Sequence, residues 1–319
     1  MSLYSRIIGT GGFLPERVLT NQDMEAILDT SDEWIRSRTG VRKRHIVTEG
    51  ERCSRLAEAA SRRALADAGI PPSEIDLIVV ATATPDQISP STACLLQRRL
   101  GIHGCCAFDV QAACTGFVYA LGVADRFIRT GDARHALIVG AEILSRLLDW
   151  QDRATAVLLG DGAGTVVLEA GQEPGIISSH LHAEGSYADL LQVPGGIGGD
   201  PNESHYLEMR GTELFKIAVS TLSDSVKETL TINGMRKSDL DWLIPHQANI
   251  RIIQAAAHKL ELPLDRVIVT IDEHANTSAA SIPLAFDIAV RDGRIRRGET
   301  VLMAGFGSGF TWGTLLLVY

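Results

Sequence analysis

Short, wholly apolar runs alternate along this chain with longer stretches in which apolar positions recur every three or four residues. Leu77-Ile78-Val79-Val80-Ala81, after Asp76, is the first clear run, and Ala107 to Val110, Ala136 to Gly140 and Thr165 to Leu168 follow as predicted strands. Between them, residues 54–68, 91–100 and 114–130 read as helices, the last with Phe117, Leu121, Ala124 and Ile128 on one face. Fully apolar strands between amphipathic helices imply a sheet covered on both sides, an α/β architecture. The opening residues MSLYSRIIGTGG read as a short strand entering a glycine turn, without the layout of a secretion signal.

The same order then recurs. Trp242-Leu243-Ile244, after Asp241, matches the run after Asp76, and Val301 to Gly305 matches Leu137 to Gly140, each 165 positions later. Val267 to Ile271 matches the strand before Cys114, and Asn276 follows Cys114 by 162 positions. A nearly constant offset predicts one α/β unit written twice and packed about a pseudo-twofold axis. Cys114 and Asn276 should then face one another from equivalent helix starts. Residues 1–170 form the first half and 212–319 the second. The stretch 171–211 holds eight glycines, Gly199 among them, and three prolines, and reads as a connecting loop with at most short strands.

Composition narrows the classes. The 319 residues are 45% hydrophobic and 22% charged, with a net charge of -9. That length buries a large core, so stability needs neither disulfides nor a structural metal. The five cysteines (Cys53, Cys94, Cys105, Cys106 and Cys114) are odd in number and irregularly spaced, which predicts reduced thiols in a cytoplasmic protein. No apolar run approaches the ~20 residues of a membrane span, and the acidic total disfavours a nucleic-acid binder. One basic run stands out: Arg36 to His45 has five Lys or Arg in ten positions. It is either a solvated loop or a phosphate contact, with Trp34 beside it to stack a base. His180, His182, Glu184 and Asp189 are dense in potential ligands but follow no metal-site order, and Gly160 to Gly164 lacks the lysine and spacing of a P-loop.

Three positions carry the chemistry. Cys114 follows a strand through the small residues Ala112 and Ala113 and opens a helix. Unpaired N–H groups and the positive dipole end there favour a thiolate and predict a lowered pKa. His246 leaves the end of a predicted strand, where α/β proteins place ligand-binding groups, and Asn276 lies at the equivalent point one unit later.

These segments resemble a known family. Cys114 in Asp109-Val110-Gln111-Ala112-Ala113-Cys114, His246 in Pro245-His246-Gln247-Ala248-Asn249, and Asn276 in Asn276-Thr277-Ser278-Ala279-Ala280-Ser281 are similar to the Cys-His-Asn triad of β-ketoacyl-acyl carrier protein synthase III. Thr30 to Ile35, Arg38 to Arg42, Gly160 to Gly164 and Gly309 to Gly313 extend the likeness over nearly the whole chain. The resemblance implies a thiolase-like fold: duplicated five-stranded mixed sheets in an α-β-α-β-α arrangement. It further implies a homodimer with no tightly bound cofactor or metal, taking acyl-CoA as substrate and acyl carrier protein as partner. An acyl group would pass from CoA to Cys114, and malonyl-acyl carrier protein would lose CO₂ and attack it. His246 and Asn276 would hold the enolate, with backbone N–H groups of Cys114 and Ser308 as the oxyanion hole. Ser308 stands where relatives commonly have glycine.

By the same resemblance, Trp34 and Arg153 sandwich the CoA adenine with Arg38 nearby, Phe215 and Asn249 line the pantetheine tunnel, and Lys216 and Arg251 grip the carrier protein. Ser89 replaces an aromatic that floors the acyl pocket from across the dimer, which implies a medium-chain primer rather than acetyl. Thiolases need a second cysteine near the C-terminus, and none follows Cys114. An acetyl-CoA-specific initiator, a Cys-dependent acyl-CoA hydrolase or acyltransferase, and an inactive CoA- or carrier-binding scaffold are the alternatives.

Overall fold

The computed structural model describes residues 3–198 and 200–319; Met1, Ser2 and Gly199 lie outside the described residues. Two mixed sheets hold the molecule together. In spatial order the first is Tyr4–Phe13, Asp161–Gly171, His135–Ile143, Leu77–Ala81 and Cys106–Val110. The first two junctions are antiparallel and the last two parallel. The second sheet runs Ile176–Ala183, Thr311–Val318, Thr300–Gly307 and Trp242–Pro245, again antiparallel, antiparallel, parallel. Strand order and direction thus repeat, and the helices Gly116–Thr130 and Ser281–Arg291 start 165 positions apart.

Side-chain alternation along the strands builds the layers. Leu77, Val79 and Ala81 of the first sheet, and Val301 and Met303 of the second, join one core with Phe117, Leu121, Ile282 and Phe286 from the two central helices. The opposite faces are covered separately. Ile78, Val80, Leu137 and Val139 meet Leu56, Ala57, Ala60 and Ala64 of helix Cys53–Ala68. Leu243, Leu302 and Leu316 meet Leu222, Val226 and Leu230 of helix Gly211–Ile232 and Ile253 and Leu260 of helix Ile250–Leu260. The result is helix, sheet, helices, sheet, helix. Each wholly buried Phe or Leu of the central layer contributes about 1.5–3 kcal/mol, so the halves are held by the pair of helices that also open the site.

Two expectations change. Val267 to Ile271 does not form a fifth strand of the second sheet; it is reduced to a single bridge between Val267 and Leu243, and Ile271 already starts the short helix Ile271–His274. The Gln247 side chain takes the strand's place, donating from Nε2 to the Ile268 carbonyl at 3.1 Å and accepting from the Thr270 N–H at 2.8 Å. Within 171–211, Ile176–Ala183 is a full edge strand paired with Thr311–Val318, so the connecting stretch supplies structure to the second half.

Candidate active site

Each half kinks its backbone just before its chemical side chain. Strand Cys106–Val110 leads to Ala113, whose φ of 46° lies in the left-handed region that a Cβ disfavours. Cys114 follows in a short turn, Ala113–Thr115, that runs directly into helix Gly116–Thr130. In the second half Ala275 (φ 58°) precedes Asn276, Ser278 has φ 49°, and the turn Ser278–Ala280 enters helix Ser281–Arg291. Strain of this kind persists only where surrounding packing enforces it. Both turns open toward one cavity of about 610 Å³, lined by Cys114, His246 and Asn276 together. Its wall is largely apolar, with Leu144, Leu158, Leu214, Ile252 and Phe306 among the lining.

Hydrogen bonds orient the two donors. Nδ1 of His246 lies 2.7 Å from the Ser281 hydroxyl, whose oxygen also accepts the Gln247 N–H at 3.3 Å. Where that hydroxyl donates its proton to Nδ1, the imidazole hydrogen sits on Nε2 and faces away from Ser281. Asn276 accepts the Ser278 N–H on Oδ1 at 2.9 Å, which frees its Nδ2 hydrogens. Its own N–H is fixed by the Leu158 carbonyl at 3.0 Å.

Burial sets the protonation states. It pushes the His246 imidazole down to about 3, so the ring is a neutral donor at working pH. It pushes the Cys114 thiol up to about 12, the Ser278 hydroxyl opposing this and the charge of Glu142 adding to it. The lowered thiol pKa expected from the helix start is therefore corrected: desolvation by the surrounding residues favours the thiol as the resting group.

Opposite Cys114, strand Thr300–Gly307 crosses with no side chain in the way. A Cβ at Gly307 would sit 2.7 Å from the Cys114 nitrogen, so only glycine lets this strand approach the N–H. Ser308 lines the cavity, and its hydroxyl donates to the carbonyl of Leu191, another lining residue.

The remaining predicted residues are spread along and beyond the cavity. Phe215 and Asn249 line it; Asn249 also caps helix Ile250–Leu260 by accepting the Arg251 N–H at 2.8 Å and reaches the Arg38 carbonyl at 3.0 Å. Lys216, Arg251 and the Arg38 side chain are exposed, and the Arg251 guanidinium covers the Phe215 ring at 5.6 Å. The Arg153 guanidinium stands 4.6 Å from the Trp34 ring centre, so the two stack on each other and a base between them requires that they part. Ser89 is exposed and outside the cavity lining. The basic run does not act as one patch. Arg44 is wholly buried on Asn21 and the Val157 carbonyl, and Lys43 pairs with Glu273.

Sequence reading passed over Glu142, Ser278 and Ser281, which the fold gathers behind the cavity. A carboxylate ending a run of apolar strand residues was the available signal for Glu142. Among the described residues no group of three or more His, Cys, Asp or Glu is placed to hold a metal, and no helix is long and apolar enough to cross a membrane.

Comparison with known proteins adds a second line of observation. Residues 108–185 match the family model for 3-oxoacyl-[acyl-carrier-protein (ACP)] synthase III, and residues 230–319 match that for its C-terminal part. A β-ketoacyl-[acyl-carrier-protein] synthase III from Thioalkalivibrio sulfidiphilus is 63% identical over 318 residues, covering 98% of this chain and 99% of the relative. One from Methylococcus capsulatus is 59% identical over 323 residues, covering 100% of each. The crystal structure of 3-oxoacyl-[acyl-carrier-protein] synthase III from Aquifex aeolicus superposes with a TM-score of 0.94 at 47% identity, covering 99% of this chain and 100% of that one.

Proposed function

The chain belongs to the 3-oxoacyl-[acyl-carrier-protein] synthase III family, and from that premise we propose how its own residues divide the reaction. The enzyme is a thiolase-like acyltransferase that condenses an acyl-CoA with malonyl-acyl carrier protein to give 3-oxoacyl-acyl carrier protein, CoA and CO₂. Cys114 attacks the acyl-CoA thioester and carries the acyl group, splitting one hard step into two. Malonyl-acyl carrier protein then enters and loses CO₂, and its thioester oxygen takes up the negative charge. Nε2–H of His246 and the Nδ2 amide of Asn276 hydrogen-bond that oxygen, strengthening as charge develops. The enolate carbon attacks the Cys114 thioester, and the N–H groups of Cys114 and Ser308 hold the oxyanion until the sulfur departs.

The observation that carries this reading is one cavity lined by a buried thiol, a neutral imidazole and an amide from three separate segments. Intact-mass measurement after exposure to a panel of acyl-CoAs tests it. Wild type should gain one acyl group and Cys114→Ala none; labelling of the variant would place the nucleophile elsewhere.

Around this centre, Trp34, Arg38, Arg153, Phe215 and Asn249 take CoA and its pantetheine arm, and Lys216 and Arg251 meet the acidic carrier protein in the cytoplasm. The working form is a homodimer, in which Ser89 of the partner subunit borders the acyl end of the cavity. A serine there leaves the volume of a ring free, and each buried CH₂ adds up to about 0.8 kcal/mol, which favours a medium-chain primer such as octanoyl over acetyl. Acylation rates for the two CoA esters decide the point; a wild-type preference for acetyl-CoA overturns it.

A further inference from the structure

Condensation depends on where the Asn276 amide points, and the turn that aims it is strained. The Asn276 backbone is pinned on both sides, its N–H by the Leu158 carbonyl and its carbonyl by the Gly160 N–H, each at 3.0 Å. Its side chain takes its orientation from the Ser278 N–H, which donates to Oδ1 at 2.9 Å. Ser278 directs that N–H from a φ of 49°, a conformation that a residue with a Cβ adopts only at a cost. Something outside the turn has to hold it there.

The hold comes from the other half of the molecule. The Ser278 hydroxyl donates to Oε1 of Glu142 at 3.0 Å. Glu142 sits near the end of strand His135–Ile143 and has no exposed surface. Ser278 lines the cavity and Glu142 does not. The carboxyl group is itself clamped. Its Oε2 accepts from the Thr84 hydroxyl at 2.6 Å, and the Ala83 N–H lies 3.2 and 3.1 Å from the two oxygens. Thr84 Oγ1 in turn accepts the Ile143 N–H at 2.8 Å, so its hydrogen is committed to Glu142. The hydrogen bonds thus run from a fixed strand end to a strained turn, and from that turn to the amide.

We propose that Glu142 is a positioning residue for the condensation step. Through the Ser278 hydroxyl it holds that residue in its left-handed conformation, and the Ser278 N–H then keeps the Asn276 amide aimed at the enolate oxygen. No proton is transferred. Without the tie, Ser278 relaxes toward negative φ, its N–H turns away from Oδ1 and the amide loses its aim. The proposal rests on Asn276 serving condensation, as put forward above.

Geometry rather than charge is what this role requires. Burial pushes Glu142 up to about 7, against the hydrogen bonds it receives, so the surroundings tolerate a neutral group of the same shape. Glu142→Gln can keep its amide oxygen toward Thr84 and Ala83 and donate from its nitrogen to Ser278 Oγ, because a hydroxyl accepts as well as donates. Ser278→Gly needs no hold at all, since without a Cβ the left-handed conformation costs little.

The test is a double-mutant cycle between the two positions. Its readout is single-turnover condensation with malonyl-acyl carrier protein by enzyme already carrying an acyl group, set against the rate of acyl loading by intact mass. Glu142→Ala should slow condensation by roughly 100-fold. The loss should fall in the maximal rate rather than in the half-saturating concentration of the carrier. It should exceed the loss in loading by at least about tenfold, because loading uses neither His246 nor Asn276 as donor. Glu142→Gln should recover at least about tenfold of it. In a Ser278→Gly background, adding Glu142→Ala should cost less than about fivefold more.

Ser278→Ala and Ser278→Gly carry the test if Glu142→Ala fails to fold. Both lose the hydroxyl, but only the first keeps the Cβ, so Ser278→Ala should condense at least about tenfold more slowly than Ser278→Gly. Equal rates in that pair overturn the proposal. So does a Glu142→Ala loss of the same size in both backgrounds, or a Glu142→Gln loss as large as that of Glu142→Ala, which would assign the role to charge. Asn276→Ala separates the two readings. Unimpaired condensation in Asn276→Ala brings down the division of steps and the positioning role with it. Impaired condensation there, with wild-type rates in Glu142→Ala and Ser278→Ala, sinks the positioning role alone.

Discussion

The two halves place equivalent strands against opposite turns, and the difference between these crossings shows how one backbone unit can present different groups to a shared cavity. Strand His135–Ile143 of the first half crosses the second half's turn so closely that a Cβ at Gly140 would lie 2.3 Å from the Ala279 carbonyl oxygen. Two residues on, it presents Glu142 to Ser278. Strand Thr300–Gly307 of the second half crosses the first half's turn, with Gly305 close to Cys114 and Thr115. Two residues beyond Gly305 it presents no side chain at all, because Gly307 lies against the Cys114 nitrogen. The same geometry offers a buried carboxyl at one crossing and bare backbone at the other. Asymmetry in a duplicated fold is thus achieved by single side chains, with the crossings themselves unchanged.

The sharpest break in this comparison exchanges the fates of the paired turn residues. Cys114→Ala should lose all acyl loading. Asn276→Ala should load acyl-CoA normally by intact mass while condensation with malonyl-acyl carrier protein falls by about 10²–10³-fold, since it removes one preorganised donor. If Asn276→Ala also fails to load, the two turns do not divide the steps.

Filling the crossings comes next. Gly307→Ala should drive the strand away from the Cys114 N–H and reduce turnover by at least about 100-fold, as measured with both substrates saturating. Gly140→Ala meets the backbone of Ala279 and Ala280 rather than the Cys114 nitrogen. Its main effect should be a loss of about 1–3 kcal/mol in urea unfolding, with per-molecule acylation less affected.

The buried ionisable groups should respond to pH in opposite directions. His246 is neutral in the fold and regains a proton when unfolded below its ordinary 6.5, so its share of stability is full above pH 6.5 and is lost as pH falls toward 3. Glu142 is raised, so its share is present below 4.5 and is lost as pH rises through about 7. His246→Gln should flatten the acid side of a stability-against-pH curve, by at most about 1.4 kcal/mol per pH unit. An unchanged acid limb in that variant would show that His246 is not held neutral.

The smallest effect is expected at the loop beyond Gly307. Ser308→Gly removes the tie to the Leu191 carbonyl and keeps the backbone N–H, so turnover should change by less than about threefold. A large loss would mean that the hydroxyl itself positions the donor.

Much of this architecture was legible because it rests on local patterns. Alternating apolar strands fix which face each side chain takes, and the 165-residue offset follows from repeating those patterns, so the layers and the meeting of Cys114 with Asn276 could be read directly. The small residues before Cys114 and the strand end at His246 marked two cavity-lining positions in the same way. What the pattern did not carry was any interaction between distant polar groups. Gln247 stands in for a strand that Val267 to Ile271 seemed to announce, because a side-chain amide offers the same donor and acceptor as a peptide. Arg44 is a buried structural cation within an apparently basic run, since its partners Asn21 and Val157 lie in other segments.

The protonation of the site belongs wholly to tertiary structure. Glu142 and Ser278 are 136 positions apart, and nothing in either neighbourhood signals the other. The sequence determined the repeated unit and the positions of the polar side chains at its strand ends, because hydrophobic periodicity and backbone preference act over a few residues. Whether the sulfur rests as thiol or thiolate was decided only by the packing around it, because desolvation depends on everything that surrounds a group in space.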